Sequence, residues 1–161
     1  MNQLFKTQGY CIDTCAILDL WFRRYPRDVF PALWKRIEEL ISQGKIIAPK
    51  QVKEELKQKS IHVFNWVKNR RGMIIDNEPE QIECAKKIQN DFKGLVDPLK
   101  TRTAADPFLI ALAKVRNWTV ITTESVSLRP ERPKIPNVCR KLGIECIDLV
   151  TFFRREHWVF D

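Results

Sequence analysis

The sequence predicts an α/β fold: a three-layer α/β/α sandwich around a central, mainly parallel sheet. Three observations carry this. Short apolar runs rich in β-branched residues, too brief for helices, recur at 10–12, 46–48, 73–75, 118–122 and 144–147. Every interval between them holds at least one stretch of helical periodicity. One of those stretches, Phe108-Leu109-Ile110-Ala111-Leu112-Ala113, is apolar nearly all round, as expected of a helix buried against a sheet. Strands alternating with helices pair in parallel through helical crossovers.

The elements follow in order. Tyr10-Cys11-Ile12 is the first strand. Asp13 ends it, and Ala16, Ile17, Leu20 and Trp21 mark a helix for which Asp13 or Thr14 is a fitting N-cap. A basic break at 23–28 precedes a helix over 29–43, with Pro31 in its first turn and Gly44 as its stop. Leu33, Ile37, Leu40 and Ile41 form its apolar stripe. Ile46-Ile47-Ala48 is the second strand, and Pro49 opens a helix over 50–59 that carries Glu54 and Glu55. Ser60 caps the next, over 61–71. A short strand at 73–75 leads to a helix from Pro79 to about Phe92, then a polar loop over 93–103. Asp106 fits an N-cap, with Pro107 at the first position of a helix ending near Asn117. Residues 118–122 form a buried strand with Thr123-Glu124 at its carboxyl end. A basic loop over 125–134, a helix over 136–142 stopped by Gly143, a strand over 144–147 and a helix over 149–156 complete the chain.

Bulk properties narrow the class. At 161 residues one domain, 1–161, is expected, long enough to bury a core without staples. The five cysteines are odd in number and form no Cys-x-x-Cys pair, and the start carries no leader pattern. A reduced cytoplasmic setting follows as the expectation. No apolar run reaches membrane-spanning length. The net charge of +8 favours a polyanionic partner such as nucleic acid.

Four acids then stand out. Asp13 follows the first strand, Glu55 rides on the helix after the second, Asp106 starts the buried helix, and Glu124 follows the 118–122 strand. In a parallel sheet, strand ends and the helix starts that follow them share one edge. Four carboxylates at that edge repel one another unless a cation joins them. Hard ions such as Mg²⁺ or Mn²⁺ take oxygen ligands, and such clusters suit metal-assisted phosphodiester hydrolysis.

Four segments resemble the PIN-domain proteins, close to the VapC-type toxin ribonucleases and to a bacterial and archaeal branch of that fold. They are Tyr-Cys-Ile-Asp-Thr-Cys-Ala-Ile-Leu at 10–18, Ala-Pro-Lys-Gln-Val-Lys-Glu-Glu-Leu at 48–56, Ala-Asp-Pro-Phe-Leu-Ile-Ala-Leu-Ala at 105–113 and Val-Ile-Thr-Thr-Glu at 120–124. The resemblance implies a PIN-like sandwich and a Mg²⁺ or Mn²⁺ site built from Asp13, Glu55, Asp106 and Glu124. It selects Glu55 over Glu54, because the second acid of the family directly precedes a Leu. Glu124 departs from the usual Asp. Asn137, in Ile-Pro-Asn-Val-Cys, stands where a further acid is often found. The implied function is an endoribonuclease, the toxin of a toxin–antitoxin pair, cytoplasmic, held by a small antitoxin protein and often a homodimer. The competing expectation is an inactive PIN module that binds RNA or serves as a scaffold.

Thr14 and Thr122 are the expected supports for the acids or a bound water. Lys100, Arg102, Arg129, Arg132 and Lys134 are the expected RNA contacts, with Lys50 and Lys53 as further candidates. Glu54, Asp19, Glu38 and Glu39 read as surface charges, and Ser125 has the same candidate supporting role as Thr14 and Thr122. His62 and His157 are isolated, and Cys11 and Cys15 read as packing. Two phosphotransfer folds fit poorly. A haloacid-dehalogenase-type phosphatase needs an Asp where Cys15 stands, and a receiver domain would have to use Asp76.

Overall fold

The computed structural model describes residues 9–97, 99 and 104–161. Five parallel strands form one sheet in the order β3-β2-β1-β4-β5. They are β1 (Tyr10–Ile12), β2 (Ile46–Pro49), β3 (Ile74–Ile75), β4 (Thr119–Ile121) and β5 (Cys146–Ile147). β1 and β2 are buried along their whole length.

Strand alternation divides the core into two layers. Tyr10 and Ile12, Ile46 and Ala48, and Ile121 face one side. Cys11, Ile47 and Val120 face the other. The first side is covered by α1 (Thr14–Leu18), α2 (Pro31–Ser42), α3 (Lys50–Lys59), α4 (Ile61–Lys68) and α8 (Leu149–Arg155). The second is covered by α5 (Pro79–Asp91), α6 (Asp106–Arg116) and α7 (Ile135–Leu142). The result is the α/β/α sandwich expected from the sequence. No described helix is long and apolar enough to cross a membrane.

Helix ends follow local chemistry. Gly44 and Gly143 sit at φ +73° and +70°, the left-handed conformation that stops α2 and α7. The Ser60 hydroxyl accepts from the Val63 N–H, and the Asp148 carboxylate from the Thr151 N–H. α6 begins one residue earlier than expected. Ala105 is its cap and Asp106 its first residue, because the Ala105 carbonyl already accepts the first helical bond from Leu109. Three strands and several helices are shorter than the periodicity implied: β4 spans only Thr119–Ile121 and α2 only Pro31–Ser42. β3 omits Met73, β5 begins at Cys146, and α4 ends at Lys68, where Asn69 and Arg70 turn the chain back on Asn65 and Val67.

After α1 the chain widens into a π-helical turn, Asp19–Arg24. It carries Trp21 into a ring cluster with Trp34 and Trp66, each pair edge to face at 5.2–5.8 Å. The Arg27 guanidinium lies over Trp21 and Trp34, and that of Arg70 over Trp66. Glu38 ties this cluster together. It pairs with both arginines and accepts from Trp66 Nε1 at 3.1 Å, so it is not the free surface charge that its sequence context implied.

Trp34 is buried and its Nε1 donates to the Tyr25 carbonyl. Trp34→Ala is expected to lower stability by about 3–5 kcal/mol. A reduced denaturant midpoint with retained secondary structure would show this, and an unchanged midpoint would contradict the packing described.

Candidate metal centre

The chain runs from β1 outward to β2 and β3, then returns to the other side of β1 for β4 and β5. β1 and β4 are therefore the neighbours at which the strand order reverses. Connections leaving their carboxyl ends diverge, and a crevice opens there. Asp13 closes β1 and Glu124 follows β4 by three residues. The Asp13 N–H donates to the Ile121 carbonyl, extending the β1–β4 ladder and fixing where the carboxylate starts.

Asp13 occupies the cap position of α1, yet its side chain makes no capping bond. Its Oδ2 accepts from the Thr122 hydroxyl at 2.8 Å instead. That hydroxyl oxygen in turn accepts from the Glu124 N–H at 3.1 Å. Thr122 thus holds Asp13 and sets the course of the chain into Glu124, the supporting role its position implied. Thr14 is buried as well, but its hydroxyl has no hydrogen-bond partner among the described residues.

The two glutamates are fixed from outside the crevice. Glu55 Oε1 accepts from the Ala105 N–H at 2.7 Å, which ties α3 to the start of α6. Glu124 Oε2 accepts from the Ile135 N–H at 3.1 Å, which ties the end of β4 to the start of α7. Neither second oxygen receives a hydrogen bond among the described residues. Glu54 is exposed on the same helix, so the choice of Glu55 agrees with its placement.

Asp13, Glu55, Asp106 and Glu124 line one cleft of about 430 Å³, together with Cys15, Gln58, Lys59, Leu95, Val96, Asp97 and Ala104. A groove of about 520 Å³ adjoins it, sharing Cys15, Lys59 and Glu124 and adding Leu18, Asp19, Phe22, Arg23 and Thr123. No Lys or Arg among the described residues forms an ion pair with any of the four acids. The electrostatic consequence is large. Burial first, then the charges of Glu124 and Glu55, push Asp13 up to about 7 against the help of Thr122. Burial, then Asp13, Glu124 and Glu55, push Asp106 up to about 8, with Lys59 opposing. Burial, then Asp13, Glu124 and Asp106, push the Cys15 thiol up to about 12, with Lys59 opposing.

Carboxylates gathered without a cation are the donor set of a hard divalent ion. One oxygen each of Asp13 and Glu124 and the Cys15 Sγ lie within 4.8 Å of one another. The residues present fit a bound ion.

Other expected residues lie elsewhere. The Asn137 carboxamide faces the 125–134 loop. Its Oδ1 accepts from Ser127 and Lys134, and its Nδ2 donates to the Ser127 carbonyl. It holds the loop and does not line the cleft. Arg129, Arg132 and Lys134 are exposed on that loop, and Arg129 pairs with Glu131 at 2.9 Å. Lys100 and Arg102 lie outside the described residues. Lys50 is exposed and Lys53 half-buried on α3, and neither lines the cleft. His62 and His157 are exposed, and all five cysteines are free thiols. Lys59 and Cys15 also line the cleft. Lys59 stands four residues after Glu55, a spacing that puts both on one helix face. Cys15, expected as a packing residue, is half-buried on α1, two residues after Asp13.

A family model described as Domain of unknown function (DUF4411) matches residues 10–160, and the chain belongs to that family. No curated protein matches the sequence.

The pH dependence of the ion-free protein follows. Asp13 and Asp106 bind protons more tightly folded than unfolded, where an Asp titrates near ~3.9. The stability this contributes is fully present below that value and is lost as pH rises through about 7 and about 8. In chelator, melting is expected at a lower temperature near about pH 8.5 than near about pH 5.5. Asp13→Asn is expected to raise Tm at the higher pH by about 3–8 °C, and Mn²⁺ to raise that of the native chain. A melting temperature indifferent to all three changes would contradict the charge clustering.

Proposed function

We propose that this chain is a divalent-metal-dependent ribonuclease of PIN type. The observation that supports it best is the convergence of Asp13, Glu55, Asp106 and Glu124, from separate elements, on one cleft at the reversal point of a parallel sheet. Mg²⁺ or Mn²⁺ held there would polarise a phosphodiester and make water nucleophilic near neutral pH.

The chain's own residues prepare the site. Thr122 orients Asp13, while backbone N–H groups at Ala105 and Ile135 hold Glu55 and Glu124. Each of these carboxylates is thus positioned before any ion arrives, so little ordering is left for the binding step. Lys59 supplies a cation where the cleft meets the adjoining groove, in which Arg23 pairs with Asp19 at 3.5 Å. The exposed Arg129, Arg132 and Lys134 carry positive charge along the 125–134 loop. Contacts of this kind position a nucleic acid through its phosphates and do not read sequence. The toxin role, an antitoxin protein as inhibitor and a homodimeric state come with the family resemblance of the four segments and belong to the same proposal.

The experiment is cleavage of end-labelled RNA with Mn²⁺, Mg²⁺ or chelator. Cleavage is expected only with metal, and Asp13→Asn and Asp106→Asn are each expected to lower the rate about 10²-fold or more. Equal cleavage by native chain and Asp13→Asn, or none by the native chain with either ion, would overturn the proposal and favour the non-catalytic RNA-binding module.

A further inference from the structure

The donors of the cleft are not all oxygen. Cys15 stands two residues after Asp13 on α1, and its Sγ lies within 4.8 Å of a carboxylate oxygen of Asp13 and of Glu124. Around a tetrahedral ion, ligands at 2.0–2.3 Å stand about 3.3–3.8 Å from one another. Closing the group onto one ion therefore asks for shifts of about 1 Å, within reach of side-chain rotation.

Two further observations point the same way. Asp13 is only 2% exposed, lines the cleft and has no Lys or Arg paired with it among the described residues, and the hydrogen bond it accepts from Thr122 falls on Oδ2, which leaves Oδ1 for a cation to meet. Cys15 is also unlike the cysteines that serve packing. Cys11 and Cys139 are sealed in the core at 0% exposure, whereas Cys15 is half-buried and lines both the cleft and the groove beside it.

We propose that Cys15 is a metal ligand through Sγ, sharing one ion with Asp13 and Glu124. The cleft then holds borderline ions such as Zn²⁺, Co²⁺ or Fe²⁺ more tightly than Mg²⁺, because a thiolate favours the softer cation. On ligation the S–H bond breaks, a sulfur–metal bond forms, and the proton leaves to solvent with no change of oxidation state. Three protein donors leave one position of a tetrahedral ion open to water or substrate, as in catalytic sites. Glu55 and Asp106 remain on the cleft wall, free to hold that water or an oxygen-only ion. This inference rests on the metal-site part of the proposed function and not on RNA cleavage.

The test reads the metal and not activity. Co²⁺ is titrated into the reduced native chain, into Cys15→Ser and Cys15→Ala, and into Cys84→Ser as a control, with calorimetry to count bound ions. A sulfur-to-cobalt charge-transfer band in the near ultraviolet is expected in the native chain and Cys84→Ser, and in neither Cys15 variant. Cys15→Ser is expected to weaken Zn²⁺ binding about 10²-fold and Mg²⁺ binding less than about threefold. Bound Co²⁺ without the band, or unchanged Zn²⁺ affinity in folded Cys15→Ser, overturns the inference and leaves a carboxylate-only ribonuclease intact. Chains that show the band but cleave no RNA overturn the ribonuclease and leave this inference standing. A native chain that binds neither Co²⁺ nor Zn²⁺ overturns this inference, whatever its response to Mg²⁺.

Discussion

A carboxylate buried at the end of the central strand is the constraint on which the rest depends. Asp13 is 2% exposed and faces Glu124 and Glu55 across a cleft without an ion-paired Lys or Arg. Moving a charged carboxylate out of water costs several kcal/mol after relaxation, and like charges nearby add to that. A core placed there for stability alone would use apolar side chains. Groups held in so unfavourable a state mark sites where the charge itself does something.

The same constraint explains how the acids are braced. Thr122 joins β4 to β1 through Asp13, Glu55 joins α3 to α6 through Ala105, and Glu124 joins β4 to α7 through Ile135. Each of these three acids offers one oxygen to the scaffold. The carboxylates are thus long-range ties as well as candidate ligands. Hydrogen bonds to charged groups contribute about 1.5–3 kcal/mol, comparable with the repulsion they oppose. Removing a glutamate therefore loosens two elements while it relieves charge. The amide isostere keeps an acceptor oxygen and separates the two effects.

Much of the fold was legible, for an identifiable reason. Short apolar runs bounded by Pro49, Asp13 or Gly143 leave few alternatives to buried parallel strands, and the apolar α6 has nowhere to sit except against the sheet. The layer assignment was not legible. Tyr10, Cys11 and Ile12 are all apolar, so no polar alternation tells which face each side chain takes. The acids were found because strand ends and helix starts share an edge, a rule that needs no side-chain detail. Lys59, Cys15 and Asn137 depend on such detail. Lys59 needed the Glu55 face, Cys15 the face that α1 turns to the cleft, and Asn137 the path of the 125–134 loop. The π-helical turn at Asp19–Arg24 carries no Gly or Pro to announce it, and tertiary packing of Trp21 accompanies it.

Global and local charge have opposite signs, and this orders events on the ribonuclease reading. The chain carries a net +8, so a polyanion is attracted from a distance. At physiological salt that attraction fades over about 8 Å, so the final approach is governed by what lines the cleft. Among the described residues that line it, the acids outnumber the single cation, Lys59, and a phosphate alone would be repelled. A divalent ion reverses the local sign and completes the field that the basic surface begins. On that reading the cleft would admit a phosphodiester only when loaded, and the four acids would act as a gate for substrate as well as a seat for the ion.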